Sequence, residues 1–233
     1  MAPLRLRLQR ISRLLLLPLI VVLACAPATL PADAATATPG PVSSSRPLDL
    51  AAIAINPHDL NALGLQPYTT GDNRYLTTDA AANLIAEIQE KSPTDTSVVL
   101  IDAHFVLGYT LTNDNLTSPG DIGSNLNGYI QSTVLEFPDT PAAMAAYDSL
   151  ITWPPTSGVA IDTSEPSVSD ESQLVTYTSG GGESPSQQIT QLTLRSDNLV
   201  AWIIFSARNA PTNAPALTSF LGQTILQKIA KER

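Results

Sequence analysis

The chain has 233 residues, with 21 acidic against 12 basic side chains and a formal net charge of −9. Such an acidic chain has no electrostatic affinity for a phosphate backbone, and no interleaving of basic and aromatic residues outlines a nucleic-acid surface. The sequence holds one cysteine, which excludes an intramolecular disulfide, so any folded part must rest on its apolar core.

The N-terminus is where the basic residues and the cysteine are used. Arg5, Arg7, Arg10 and Arg13 form a basic n-region, and Leu14 to Ala24 then runs without a charge. That stretch is too short to cross a hydrocarbon core of roughly 30 Å as a helix and has the form of a signal-peptide h-region. Cys25 closes it. Val22-Leu23-Ala24-Cys25 resembles a bacterial lipobox, with Leu23 where a smaller or β-branched residue is usual. The resemblance implies cleavage before Cys25, acylation of that residue, and a lipid bilayer as partner. Two or more acyl chains give stable anchoring, whereas one is marginal. The alternatives are a secreted protein, cut after Ala32-Asp33-Ala34, and an uncleaved anchor. Without the four arginines, eight basic residues face 21 acidic ones, a net of −13. Anionic lipid would repel such a domain, which suits one held off the surface on a tether.

Residues 25–47 follow as the lipidated cysteine and a spacer rich in Ala, Pro, Thr and Ser. This composition cannot bury enough apolar area to offset the entropy of ordering, so the expectation is a disordered linker. Residues 48–233 are then expected to form a single extracytoplasmic domain, long enough to build its own core.

Along that domain, Pro57 suits the first turn of a short helix and Gly64 its C-terminal cap. Thr77-Thr78-Asp79 caps a helix to about Lys91, with Ala81, Leu84, Ile85 and Ile88 inward and Ser92-Pro93 as its stop. Ser97 to Thr112 is rich in β-branched and aromatic residues and predicts one long strand. Its antiparallel partner is Gly128 to Phe137, across a polar turn region over Asn113 to Asn127. Asp139 or Thr140 caps a helix with Ala143, Met144, Tyr147, Leu150 and Ile151 on its inner stripe. A possible short strand at Val159 to Ile161 precedes strands at Gln173–Thr178, Gln188–Arg195 and Asn198–Ala207. The last two form a hairpin through Ser196-Asp197, after a flexible glycine-rich turn near 179–185. The final helix, about Asn213 to Lys231, is expected to dock Leu217, Phe220, Leu221, Ile225 and Ile229 on the strand Leu199–Phe205, with Gly222 facing away. Gaps too short for crossover helices make the fold class α+β: an antiparallel sheet of about five strands packed against helices, including the C-terminal one.

Several of these features also form a resemblance. Val134-Leu135-Glu136-Phe137 precedes a helix bearing Ala142, Ala143, Ala146, Tyr147 and Leu150. Ser169-Asp170-Glu171-Ser172 and the hairpin Arg195-Ser196-Asp197-Asn198-Leu199-Val200 follow. Over roughly residues 95 to 231 the chain resembles the extracellular sensor-like domains of mycobacterial lipoproteins and receptor kinases. Relatives usually place glycine before the Asp-Glu-Ser run, where this chain has Ser169. The resemblance implies an exported, non-enzymatic domain with a ligand groove, and names no ligand.

Chemistry-bearing residues are few. Asp102-Ala103-His104 would place a carboxylate and an imidazole on one face of a strand, half of a metal or acid–base site. The more ordinary account is a structural or surface pair. Asp170-Glu171-Ser172 reads as a solvated acidic turn with Ser172 or Asp170 hydrogen-bonding the local backbone, or else as a carboxylate that fixes the loop by accepting backbone N–H bonds. Together Asp102, His104, Asp170 and Glu171 are the candidate polar site. Tyr109 and Tyr129 could meet across the first strand pair. The glycine run at 180–182 lacks the lysine of a phosphate loop, and no serine sits in a nucleophile elbow. No catalytic set, cofactor or metal site is expected. The leading expectation is a tethered binding or sensor-like module for a small molecule or an envelope protein. An envelope assembly lipoprotein and, further off, a hydrolase using carboxylates and His104 are the alternatives.

Overall fold

The computed structural model describes residues 48–67, 69–89, 91–117, 126–151, 159–160, 168–169, 171–179 and 187–233. The expected signal peptide at 1–24, Cys25 and the spacer to 47 lie outside these, as do Asp170 and the glycine run at 180–182.

In chain order the elements are α1 Leu50–Ile53, α2 Pro57–Ala62, β1 Thr69–Leu76, α3 Thr78–Gln89, α4 Pro93–Asp102, β2 Leu107–Asp114 and β3 Gly128–Glu136. After them come α5 Thr140–Ile151, β4 Val159–Ala160, β5 Ser172–Ser179, β6 Gln187–Ser196, β7 Leu199–Ala207 and α6 Ala214–Glu232. The strands form one sheet in the order β1-β2-β3-β7-β6-β5-β4, antiparallel throughout. The fold class is the α+β arrangement expected, with seven strands among the described residues instead of about five.

Both faces of the sheet are packed. On the first, Ile130, Val134, Leu192, Leu194, Ala201, Ile203 and Phe205 meet α1, α2 and the inner side of α6. On the second, Leu76, Leu135, Val200 and Trp202 meet α3, α4 and α5. This double burial explains why β7 reads as an unbroken apolar run: every one of its nine residues is buried. The N-terminal segment is pinned to the first face by polar bonds. Ile55 N–H donates to Ser132 Oγ at 3.1 Å, and Asn113 Nδ2 donates to the Ile55 carbonyl at 3.2 Å. Lys228 Nζ, on α6, donates to the Ala54 carbonyl at 2.8 Å and pairs with Asp59.

The caps expected for α2 and α5 are present. Asn56 and Asp59 form a reciprocal capping box around Pro57, and Gly64, at φ 74°, closes α2. Gly64 N–H bonds to the Asn61 carbonyl and Leu65 N–H to Leu60, a Schellman closure. Asp139 caps α5 through the Ala142 amide at 2.9 Å. On that helix Ala143, Ala146, Tyr147 and Leu150 are buried, whereas Met144 faces out.

The long strand expected at Ser97–Thr112 is instead a helix, a turn and a shorter strand. Ser92-Pro93, expected to stop α3, opens α4: Ser92 is its N-cap and Pro93 its first residue. Thr96 and Leu100, four apart, are its buried positions, so tertiary packing overrides the β propensity of Val98, Val99 and Ile101. The helix ends in a second Schellman closure, with His104 N–H on the Ile101 carbonyl and Phe105 N–H on Leu100, both at 2.9 Å. Its left-handed residue is His104 at φ 53°, where glycine is usual, so the stop carries no glycine signal.

β1 was not foreseen. Its sequence TTGDNRYL is exposed except at Leu76, and its pairing with β2 is irregular between Thr70 and Asn73, so no alternating pattern marks it. On α6, Phe220 is 50% exposed, against the expectation that it docks. The buried line is Ala214, Thr218, Leu221, Gly222, Ile225 and Ile229, which places Phe220 just outside it. Gly222, expected to face away, faces β6: an added Cβ would lie 2.3 Å from Leu192 Cδ2 and 3.4 Å from Leu194 Cδ2. The helix therefore seats on β6 as well as on β7, closer than any side chain at 222 allows. Among the described residues no helix is long and apolar enough to cross a membrane.

Candidate functional site

The strand register orders the second face of the sheet into rows. One row carries Leu135 and Val200, and the next Thr110, Thr133, Trp202 and Thr193. A third carries Thr112, Gln131, Ile204, Gln191 and Val175, and the last Asp114, Tyr129, Ser206, Ile189 and Tyr177. The apolar cluster beneath α3, α4 and α5 includes Leu135, Val200 and Trp202 and goes no further along these rows. Beyond it opens a groove of about 370 Å³, a size within the range of small-molecule sites. Its floor is Tyr129, Gln131, Ile189, Ile204 and Tyr177, and its sides are Leu84, Glu87 and Ile88 of α3 with Asp72 and Arg74 of β1.

The groove has polar rows behind it, at the edge of the covered part of the sheet. Thr110 Oγ1 and Thr133 Oγ1 are 3.0 Å apart, and Gln131 Nε2 donates to Thr110 Oγ1 at 3.4 Å. Gln191, flanked by the lining residues Ile204 and Ile189, is 4% exposed. Its Nε2 donates to Thr193 Oγ1 at 3.4 Å, and its Oε1 has no partner among the described residues. A buried acceptor left unpaired costs free energy comparable to a lost hydrogen bond.

The charges around the groove are mostly negative. Arg74 and Asp72 pair with each other at 3.1 Å, and Glu87 stands exposed on α3. Burial raises the Tyr129 phenol above its ordinary pKa, a hydrogen bond with Ser206 opposes this, and the charges of Glu87 and Asp114 raise it further. Tyr109 does not meet Tyr129. The two alternate onto opposite faces, and Tyr109 packs edge-on against Tyr75 with ring centroids 5.1 Å apart.

The candidate polar site read from sequence is not brought together. Asp102 is the last residue of α4 and His104 the left-handed residue beyond it. Both are exposed, and the strand that would have aligned them does not exist. No hydrogen bond or ion pair joins Asp102 or His104 to Glu171, and no cluster of three metal-ligating side chains occurs among the described residues. Asp170 lies outside them. Glu171 is engaged elsewhere: both its oxygens accept from the Arg195 guanidinium in a two-point pair. Arg195 also donates to the Asp197 carbonyl at 2.9 Å, so Glu171 fixes the β6–β7 hairpin. The hydrogen bond from Arg195 holds the Glu171 carboxyl below its ordinary pKa. Close by, burial raises the Tyr147 phenol, as does the charge of Glu171.

Of the groove residues only Tyr129 is singled out from sequence as a candidate, and for a meeting with Tyr109 that does not occur. The available signal was polar alternation in strands that are otherwise buried: Gln131 and Thr133 on β3, Gln191 and Thr193 on β6. Leu84 and Ile88 gave a second signal, since both were expected in the core and are only half-buried.

No protein-family model matches the chain, and no curated protein matches it. Among solved structures it is similar to the extracellular domain of PknH from Mycobacterium tuberculosis, at 16% identity and a TM-score of 0.48, covering 78% of this chain and 95% of that one.

Proposed function

We propose that this chain is a membrane-tethered extracytoplasmic binding module. Residues 1–24 direct export, Cys25 carries the lipid, residues 26–47 form the spacer, and the domain from 48 to 233 holds a small molecule in the groove on its second sheet face. The carrying observation is that groove: about 370 Å³, floored by two tyrosines, two isoleucines and an amide. The tether is supported by the basic n-region and by the lipobox-like run ending in Cys25.

The test is native mass spectrometry of the protein purified from membranes without stripping. A retained small-molecule adduct that disappears in Ile189→Lys supports the reading. An adduct unchanged by that substitution removes the groove as its site. The assembly reading is favoured by one observation. Val98, Ile101 and Val106 are each more than half exposed on α4 and just beyond it, an apolar group of the kind that protein partners cover. The hydrolase reading loses its support, because it needs His104 in a cleft and His104 is an exposed turn residue.

A further inference from the structure

Resting on the groove as the binding site, we propose that its ligand is a small organic cation with an apolar body, its ammonium group held beside Glu87. Two carboxylates, Asp72 and Glu87, and one cation, Arg74, line the groove, and Asp114 stands opposite the floor residue Tyr129 on the neighbouring strand. Arg74 is spent on Asp72 at 3.1 Å, and Glu87 forms no ion pair among the described residues. The field this leaves is negative, and it reaches the floor: the charges of Glu87 and Asp114 both disfavour ionisation of the Tyr129 phenol. An anion entering here would meet that field unopposed, and the net charge of the chain would repel it at long range.

The floor carries the second half of the inference. Ile189 and Ile204 offer apolar area, and Tyr129 and Tyr177 add aromatic rings, a residue type that attracts an ammonium group as well as an apolar body. Gln191, cross-strand from the floor residue Ile204, is buried and its Oε1 has no hydrogen-bond partner among the described residues. An ammonium brings N–H donors and positive charge together. A neutral polyol brings donors without the charge, and a carboxylate brings neither.

The experiment compares three ligands of one skeleton: phenethylammonium, phenethyl alcohol and phenylacetate. Calorimetric titration is made against the full chain in non-ionic detergent at low salt. An exposed carboxylate contributes modestly, so the ammonium is expected to bind about fivefold tighter than the alcohol. Phenylacetate should bind more weakly still, and the ammonium's preference should shrink as salt rises. In Glu87→Gln, an exposed position, the ammonium should fall to the level of the alcohol while the alcohol is unchanged. If the alcohol binds as tightly as the ammonium, and Ile189→Lys abolishes both, the cation assignment is wrong and the groove survives as a binding site. If the ammonium's preference persists in Glu87→Gln, its placement is wrong. If none of the three binds, or binding survives Ile189→Lys, the groove reading falls along with the cation.

Discussion

The seating of α6 can be tested at three neighbouring positions whose expected costs differ. Ile225 is fully buried between α6 and the first sheet face, so Ile225→Ala loses its transfer free energy and leaves a cavity, about 2 to 5 kcal/mol. Phe220 is larger but half exposed, so Phe220→Ala forfeits about half of a full side-chain transfer, roughly 1 kcal/mol, and water fills the space. Gly222 has no room for a branched side chain, since a Cβ alone would stand 2.3 Å from Leu192 Cδ2 inside the core. Gly222→Val therefore forces the helix outward or Leu192 off its rotamer, at about 1 to 3 kcal/mol, more than the small gain in helix propensity returns. Urea denaturation of the segment from residue 48 measures all three, with an unchanged m-value as the control for a two-state comparison. The expected order of loss is Ile225→Ala first, Gly222→Val next, Phe220→Ala least. A Phe220→Ala loss equal to that of Ile225→Ala would mean that the helix is rotated about its axis, and the packing argued here would fail.

Acidification gives a separate handle on the β6–β7 hairpin. Glu171 has its pKa lowered by Arg195, so its contribution is fully present above the ordinary carboxyl pKa near 4.5 and is lost as pH falls through the lowered value. The melting temperature of wild type should accordingly fall more steeply than that of Glu171→Gln below about pH 4.5; parallel curves would contradict the pairing. Replacing His104 by valine, which disfavours its left-handed conformation, should lower stability by about 1 to 2 kcal/mol, whereas His104→Gly should not. A thermal shift of equal size in both would remove the Schellman account of the α4 stop. Cys25→Ala should abolish fatty-acid labelling of the chain, and equal labelling of both forms would end the lipid-anchor proposal. Removal of residues 26–47 should leave the melting temperature of the domain within a degree or two, and a larger drop would show that the spacer packs.

Fold class was legible because it depends on the coarse order of elements, which the β3, β6 and β7 patterns and the α5 and α6 stripes carry plainly. The errors fall where one local signal stood for two different structures. Ser92-Pro93 is both a helix stop and a helix start, and only the burial of Thr96 and Leu100 decides between them. His104 in a left-handed conformation ends a helix as glycine would, without glycine's signature. β1 is an edge strand held by pairing to β2, with one buried side chain in eight, so its sequence has almost no apolar pattern to read. Phe220 was misplaced for a subtler reason. Hydrophobicity alone picks the heavier residue at 220 over the glycine at 222, whereas a helix that must approach a sheet closely turns its smallest residue inward.

The candidate site was hidden by the same logic run in reverse. A search for paired carboxylates and histidines looks along the chain, and here it found Asp102, His104 and Glu171, an exposed turn and a hairpin clamp. The groove is assembled across the chain instead, from α3 and five strands distant in sequence, and each of its residues has an ordinary explanation taken singly. What distinguishes them is their arrangement in rows. The apolar cluster beneath the helices ends at Trp202, and the next two rows mix Ile204, Val175 and Ile189 with Gln131, Gln191, Tyr129 and Tyr177. If the sheet served only as a platform for packing, those rows would be expected to continue the aliphatic pattern of Leu135 and Val200 and to be capped by a longer α3 or α5. Amides and phenols beside an uncovered floor bury less apolar area than an aliphatic row would, and the proposed ligand is what would cover them.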